Sequence, residues 1–243
     1  MLCHLQEFHC IGNEMNAIIL AAGVGSRFKE IGQKTHKSLL PVQGVPNLER
    51  TVLYLQQAGI HDICIVVGHL AEQFDFLKEK YGCKLIYNPK YREYNSIYSF
   101  YLASGFFADS YVIDCDVVLF KNIFEEPLSG SHYFLIPRPI SEEKEWLAEI
   151  NNNRITQIEV SNKSGYSLLG ISYWDKKESR KILEKLPDYM SLEILRNSKL
   201  YWDNIPLEIL STLEVKPYLL RLKDGFEMDN MDNYNFILNN LTD

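Results

Sequence analysis

Leu20-Ala-Ala-Gly-Val-Gly-Ser-Arg27, followed by Thr35-His-Lys37-Ser-Leu-Leu-Pro41, is the stretch on which the fold of this chain turns. A short apolar run, Ala17-Ile-Ile-Leu20, feeds directly into the small-residue turn Ala21-Ala-Gly-Val-Gly-Ser26. Gly23 and Gly25 let backbone N–H groups reach a ligand with no Cβ in the way. Consecutive amides in such a turn form a concavity that attracts anions. Between Gly23 and Lys37 the charges are Arg27, Lys29, Lys34 and Lys37 against Glu30 alone, in a chain of formal net charge −7. Strand, glycine turn and local positive excess together describe a polyphosphate site in an acidic protein.

Two better-known glycine loops fail here. A Walker A loop closes on Gly-Lys-Ser/Thr, and a dinucleotide fingerprint needs a third glycine three residues after the second. Gly25 is followed instead by Ser26-Arg27, and the third-glycine position is Phe28. What remains is an arginine two residues after the second glycine and a lysine ten residues further on.

Outward from the turn the chain alternates. Leu48, Val52 and Leu55 recur at helical spacing and predict a helix ending near Gly59. Ile63-Cys-Ile-Val-Val67 predicts a buried strand, and Leu70, Phe74, Leu77 and Tyr81 a second helix closed by Gly82. Leu85-Ile-Tyr87 is strand-like, residues 96–107 helical, and Tyr111-Val-Ile113 the next strand. Strands separated by helices imply right-handed crossovers and a mainly parallel sheet. Beyond residue 131 the pattern loosens into strand-like pieces at 131–137, 154–160 and 167–174, two helical stretches, a strand near 215–222 and a last helix at about 231–240. The expected class is α/β, with a mixed, mainly parallel sheet flanked by helices.

Length and composition narrow the function. A chain of 243 residues with 46% hydrophobic and 23% charged residues has a core of ordinary size. The negative charge and the absence of any basic run argue against a nucleic-acid partner, and no apolar stretch approaches the ~18 residues of a membrane span. Five cysteines, Cys3, Cys10, Cys64, Cys83 and Cys115, show no paired spacing, which points to a reducing, cytoplasmic compartment. Residues 1–14 read as an N-terminal extension ahead of one domain at 15–243. Its Cys3, His4, His9 and Cys10 match no usual zinc spacing.

Acidic and aromatic residues suggest the rest of the site. The strand at 111–113 runs into Asp114-Cys-Asp116, and ligands of open α/β sheets sit beyond the carboxyl ends of the strands. In extended chain both carboxylates would point to one side and could hold Mg²⁺, which takes one or two carboxylates plus substrate phosphates. Strand-end aspartates also cap helices, and the sequence leaves both readings open. Asp229, in Glu227-Met-Asp-Asn-Met-Asp232, is open in the same way. Trp146, Tyr173-Trp174 and Tyr201-Trp-Asp203 cluster in the second half. Most such aromatics are core, yet aromatic faces beside carboxylates hold quaternary ammonium groups.

Leu20 to Arg27 through Lys37 resembles the signature of nucleotidyltransferases that join an NTP to a phosphorylated small molecule. From Met15 onward the chain is similar to the bacterial CTP:phosphocholine cytidylyltransferases of the choline-decoration pathway. The matching segments are Glu72 to Tyr81, Tyr111-Val-Ile-Asp-Cys-Asp116, Leu200-Tyr-Trp-Asp-Asn204 and Phe226-Glu-Met-Asp-Asn230. His36 departs from the broader superfamily, which usually has proline before the lysine. The resemblance implies a Rossmann-like nucleotidyltransferase fold acting on CTP and phosphocholine for the decoration of surface glycans. It places Leu20, Ala21, Ala22, Gly23, Gly25 and Ser26 around the nucleotide, with Asn95 and Ser96 near the base or ribose. Arg27 and Lys37 would neutralise the triphosphate, and Asp116 and Asp229 would share Mg²⁺. Trp146, Tyr201, Asp203 and Glu227 would enclose the choline head. A sugar 1-phosphate or phosphoethanolamine acceptor, and a non-catalytic nucleotide sensor, are the alternatives.

Overall fold

The computed structural model describes residues 15–240 apart from 141 and 143, so the expected extension at 1–14 lies outside the described residues. The first strand, β1 (Asn16–Ala21), is buried along its whole length, as an apolar run in a parallel sheet covered on both faces must be. The signature then passes through a short helix α1 (Lys29–Lys34) and a two-residue hairpin, β2 (Pro41–Val42) and β3 (Val45–Pro46). Helix α2 (Asn47–Gln57) follows and buries the predicted Leu48, Val52 and Leu55 face. Next come β4 (Asp62–Val67), α3 (Asp75–Tyr81) and β5 (Lys84–Tyr87). Gly82 ends α3 in the left-handed conformation, φ 71°, which only glycine adopts without penalty. Helix α4 (Ser96–Ala103) leads to β6 (Ser110–Asp114) and β7 (Val117–Leu119).

Strands β4, β1 and β6 pair in parallel, and β5 joins β4 in parallel. The second half reverses this geometry. Strands β8 (Ser131–Arg138), β9 (Glu145–Asn151), β10 (Arg154–Ser161) and β11 (Gly165–Trp174) pair antiparallel, with β11 also antiparallel to β6. Helices α5 (Lys176–Lys185), α6 (Leu192–Leu195) and α7 (Asn204–Glu208) then precede β12 (Val215–Leu219), which returns parallel to β8. The last elements are β13 (Gly225–Glu227), paired with β7, and α8 (Met231–Asn240).

Among the described residues one nine-stranded mixed sheet therefore contains strands of both halves, ordered β10-β9-β11-β6-β1-β4-β5, with β8 attached to β11 and β12 to β8. Its antiparallel share is larger than the helix-strand alternation of the first half suggests. Hairpin strands need no crossover helix, and no helix separates β8, β9, β10 and β11 among the described residues. Residues 145–151, not singled out as a strand, form β9 and carry Trp146.

The core lies on both faces of the sheet. Ala17, Ile19 and Ala21 pack with α2 and α3 on one side, while Ile18, Leu20 and Ala22 pack with α4 and Trp202 on the other. This alternation fixes which residues of the turn can meet a ligand.

Candidate active site

At the carboxyl ends of β1 and β6 lie two adjoining cavities, of about 230 and 550 Å³, that share Asp114, Asp116 and Tyr201 in their walls. The smaller is bounded by Leu20, Ala22, Gly23, Lys37, Asn95 and Ser96. Ala21, on the opposite face of β1, is fully buried in the core, so only its backbone can serve a ligand. Gly25 and Ser26 lie in the loop outside the lining. Gly25 adopts φ 62°, and its carbonyl accepts from the Phe28 N–H at 2.9 Å.

Lys37 and Asp116 form a mostly buried ion pair, Nζ to Oδ2 2.5 Å. Burial works against the Lys37 ammonium, but the Asp116 carboxylate overrides it and raises its pKa above the ordinary lysine range. Asn95 and Ser96 line the cavity with side chains already engaged. Asn95 caps α4 by accepting from the Ile97 N–H, and its amide donates to the carbonyls of Ile194 and Asn197. Ser96 Oγ accepts from the Trp202 N–H at 3.0 Å. Their evident work is to tie the 194–202 segment to the cavity rim.

The larger cavity gathers residues far apart in sequence. Arg27, Asp116, Trp146, Tyr201, Glu227 and Asp229 all line it, together with Asp203. The Trp146 and Tyr201 rings meet edge to face, centroids 6.2 Å apart. In the same lining Tyr133 donates its hydroxyl to Asp203 Oδ1 at 3.0 Å. Burial raises the Asp203 carboxyl to about 7, against the Tyr133 hydrogen bond. Asp114 is raised too, by burial first and then by Asp203, Asp116 and Glu227. Strand β6 ends at Asp114, so Asp114 and Asp116 reach the site across a turn and not along an extended chain. Asp229, 3.4 Å from Arg27, is raised by burial and by neighbouring Asp116. Glu227 forms an ion pair with Arg138, yet burial still raises it to about 8.

The chain that builds this turn and chamber is similar to known proteins. Residues 17–126 match the MobA-like NTP transferase domain. The choline-phosphate cytidylyltransferase of Haemophilus influenzae is 54% identical over 94% of this chain and 98% of its own length. The chain belongs to the choline-phosphate cytidylyltransferase family. The Streptococcus pneumoniae member is 40% identical over 90% of this chain and 95% of its own. The solved CTP:phosphocholine cytidylyltransferase from that organism superposes with a TM-score of 0.87, covering 93% of this chain and 98% of that one at 38% identity.

In this cytidylyltransferase family member several site residues escaped sequence reasoning. Tyr133 and Arg138 sit on β8 amid core residues, with no spacing to mark them. Arg138 donates from Nε to Ser167 Oγ at 3.0 Å and lies over the Phe226 ring. Gly170 occupies an irregularity in the β11–β8 pairing at φ 71°, and a Cβ there would lie 3.1 Å from Asp114. An isolated glycine inside a strand pattern is the signal that could have found it.

Proposed function

We propose that this nucleotidyltransferase converts CTP and phosphocholine to CDP-choline and pyrophosphate. A phosphate monoester has its second pKa near 6, so the phosphocholine oxygen is already anionic at neutral pH and needs no general base. That oxygen attacks the α-phosphorus of CTP, a new P–O bond forms, and the bond to the β-phosphate breaks with pyrophosphate taking the electron pair. Catalysis is then positioning plus charge neutralisation. Arg27 and Lys37 neutralise the triphosphate, and the Gly23–Gly25 amides cradle it.

Asp116 and Asp229 suit Mg²⁺ chemically. They are hard oxygen donors facing one cavity, and Asp116 disfavours the charge on Asp229. Two carboxylates with substrate phosphates make an adequate magnesium set. The ion would screen the phosphates and steady departing pyrophosphate. No third His, Cys, Asp or Glu joins them into a larger ligand cluster among the described residues.

The observation that carries the choline reading is the Trp146–Tyr201 pair sharing one cavity with the Asp114 and Asp203 carboxyls. Aromatic faces attract a quaternary ammonium, and the two carboxyls, pushed toward their neutral form by burial, would ionise against an arriving cation. A sugar phosphate would call for neutral hydrogen-bonding groups instead. The wider reading is an enzyme of one domain at 15–243, working in the cytoplasm and serving phosphocholine decoration of surface glycans; the compartment is supported by free, buried Cys64, Cys83 and Cys115. Pyrophosphate release across phosphocholine, phosphoethanolamine and glucose 1-phosphate tests the acceptor. Phosphocholine should give the highest kcat/KM, and equal or faster turnover of the sugar phosphate would refute the reading.

A further inference from the structure

His36 stands where the superfamily has proline, and its backbone keeps the proline-like φ of −61°. What differs is what its ring and N–H do. The residue is 1% exposed. Its Nδ1 accepts from the Ser38 N–H at 3.3 Å and lies 2.8 Å from Ser38 Oγ. With Nδ1 an acceptor, the hydrogen-bond network assigns the ring proton to Nε2. That Nε2–H points at the Gly23 carbonyl, 3.2 Å away. Burial lowers the imidazole pKa to about 4, so the ring is neutral at physiological pH.

Two neighbours extend the same clasp. His69 donates its backbone N–H to the Ala22 carbonyl at 3.1 Å, and its Nε2 lies 2.8 Å from the Gly32 carbonyl. Gln73 accepts from the His36 N–H at 2.9 Å and donates to the Lys34 carbonyl at 2.7 Å. Carbonyls on both sides of the glycine turn are thereby drawn toward the protein. Every described peptide is trans, and in a planar trans peptide the N–H points opposite to the C=O. Holding the Gly23 carbonyl against His36 therefore turns the Val24 N–H away from it. Among the described residues the N–H groups of Val24, Gly25 and Ser26 donate to no protein acceptor. With Gly25 left-handed, they form the kind of amide nest that binds phosphate oxygens.

We propose that His36 is a positioning residue for the nucleotide: its Nε2–H fixes the Gly23 peptide so that the Val24 amide faces the triphosphate. Proline at this position can set the backbone angle but has neither donor. The inference rests on the nucleotide-binding reading of the turn and is independent of which acceptor is used.

The test compares His36→Asn, which is too short to reach Gly23, with His36→Gln, which keeps a side-chain N–H of similar reach. CTP binding is measured by calorimetry and both KM values by pyrophosphate release. Loss of one oriented amide on a charged phosphate corresponds to about a tenfold change. His36→Asn should weaken CTP binding and raise its KM about tenfold, with the phosphocholine KM within about twofold. His36→Gln should restore CTP binding to within about threefold of wild type. Wild-type affinity in His36→Asn, equal losses for both substrates, or no rescue by glutamine would each overturn the proposal. A measurement on the unmodified protein guards against variants that fail to fold. The ¹⁵N–¹H spectrum of the imidazoles should show His36 as the Nε2–H tautomer at pH 7, and the Nδ1–H form would overturn the proposal. CTP binding without formation of CDP-choline would refute the acceptor reading alone, leaving the asparagine–glutamine comparison to decide the role of His36.

Discussion

Replacing Asp116 with alanine separates the ion pair that the structure shows from the metal-holding role proposed for the same carboxylate. Lys37 and Asp116 retain only 15% and 18% side-chain exposure and lie 2.5 Å apart. Removing one partner of a fully buried pair costs about 3–5 kcal/mol, because the other charge is stranded. Water reaches part of this pair, so a loss of about 2–3 kcal/mol is the reasoned figure, which lowers Tm by roughly 5–10 °C in a chain of this size. Saturating CTP should recover part of that loss, since phosphate oxygens give Lys37 a new partner. Turnover behaves differently. Loss of a carboxylate that would hold Mg²⁺ at the leaving phosphates should lower kcat by about 10²–10³, as removal of one electrostatic stabiliser does. Calorimetric melting with and without CTP, beside pyrophosphate release, reads both effects. A Lys37→Ala, Asp116→Ala double-mutant cycle should return coupling of about 1 kcal/mol or more. Melting and turnover both unchanged in Asp116→Ala would refute the ion pair and the metal role together.

Three further outcomes follow from the larger cavity. Asp203 is raised from 3.8 to about 7, so the folded state holds a proton that the unfolded chain has lost, and stability falls as pH rises between those values. Asp203→Asn should therefore stabilise the protein at pH 8 by on the order of 2–4 kcal/mol, lose that advantage below pH 4, and raise the phosphocholine KM. A variant no more stable than wild type at pH 8 would contradict the burial argument. Gly170→Ala places a Cβ 3.1 Å from Asp114 in a left-handed backbone and should cost about 2–4 kcal/mol of stability; an unchanged Tm speaks against it. Trp146→Ala removes one aromatic face and should raise the phosphocholine KM about 3- to 30-fold while leaving the CTP KM within twofold, as steady-state kinetics will show.

The parts of this fold that were legible in the sequence are those governed by local physics. The alternation of apolar strands with helical faces at 48–55 and 70–81 places β1, α2, β4, α3 and β5, because burial periodicity and the Gly82 terminator are written in adjacent residues. The second half was less legible, since β9 and the β11–β8 pairing depend on partners far along the chain. The same divide runs through the site. Gly23, Arg27 and Lys37 announce themselves by spacing. Tyr133 and Arg138 do not, because a polar tip on a buried strand has no local signature. Glu227 was legible as an acid but not as the ion-pair partner of Arg138, which lies 89 positions away. Asn95 and Ser96 were placed beside the nucleotide, and they do line the smaller cavity, but their hydrogen bonds to the 194–202 segment could be read only from the folded chain.

The most direct measurement is a crystal structure of the protein with CDP-choline and Mg²⁺. The trimethylammonium should lie between Trp146 and Tyr201, the diphosphate on the 23–27 turn beside Lys37, and the metal on Asp116 and Asp229. A choline group bound away from Trp146, with that aromatic chamber empty, would contradict this placement.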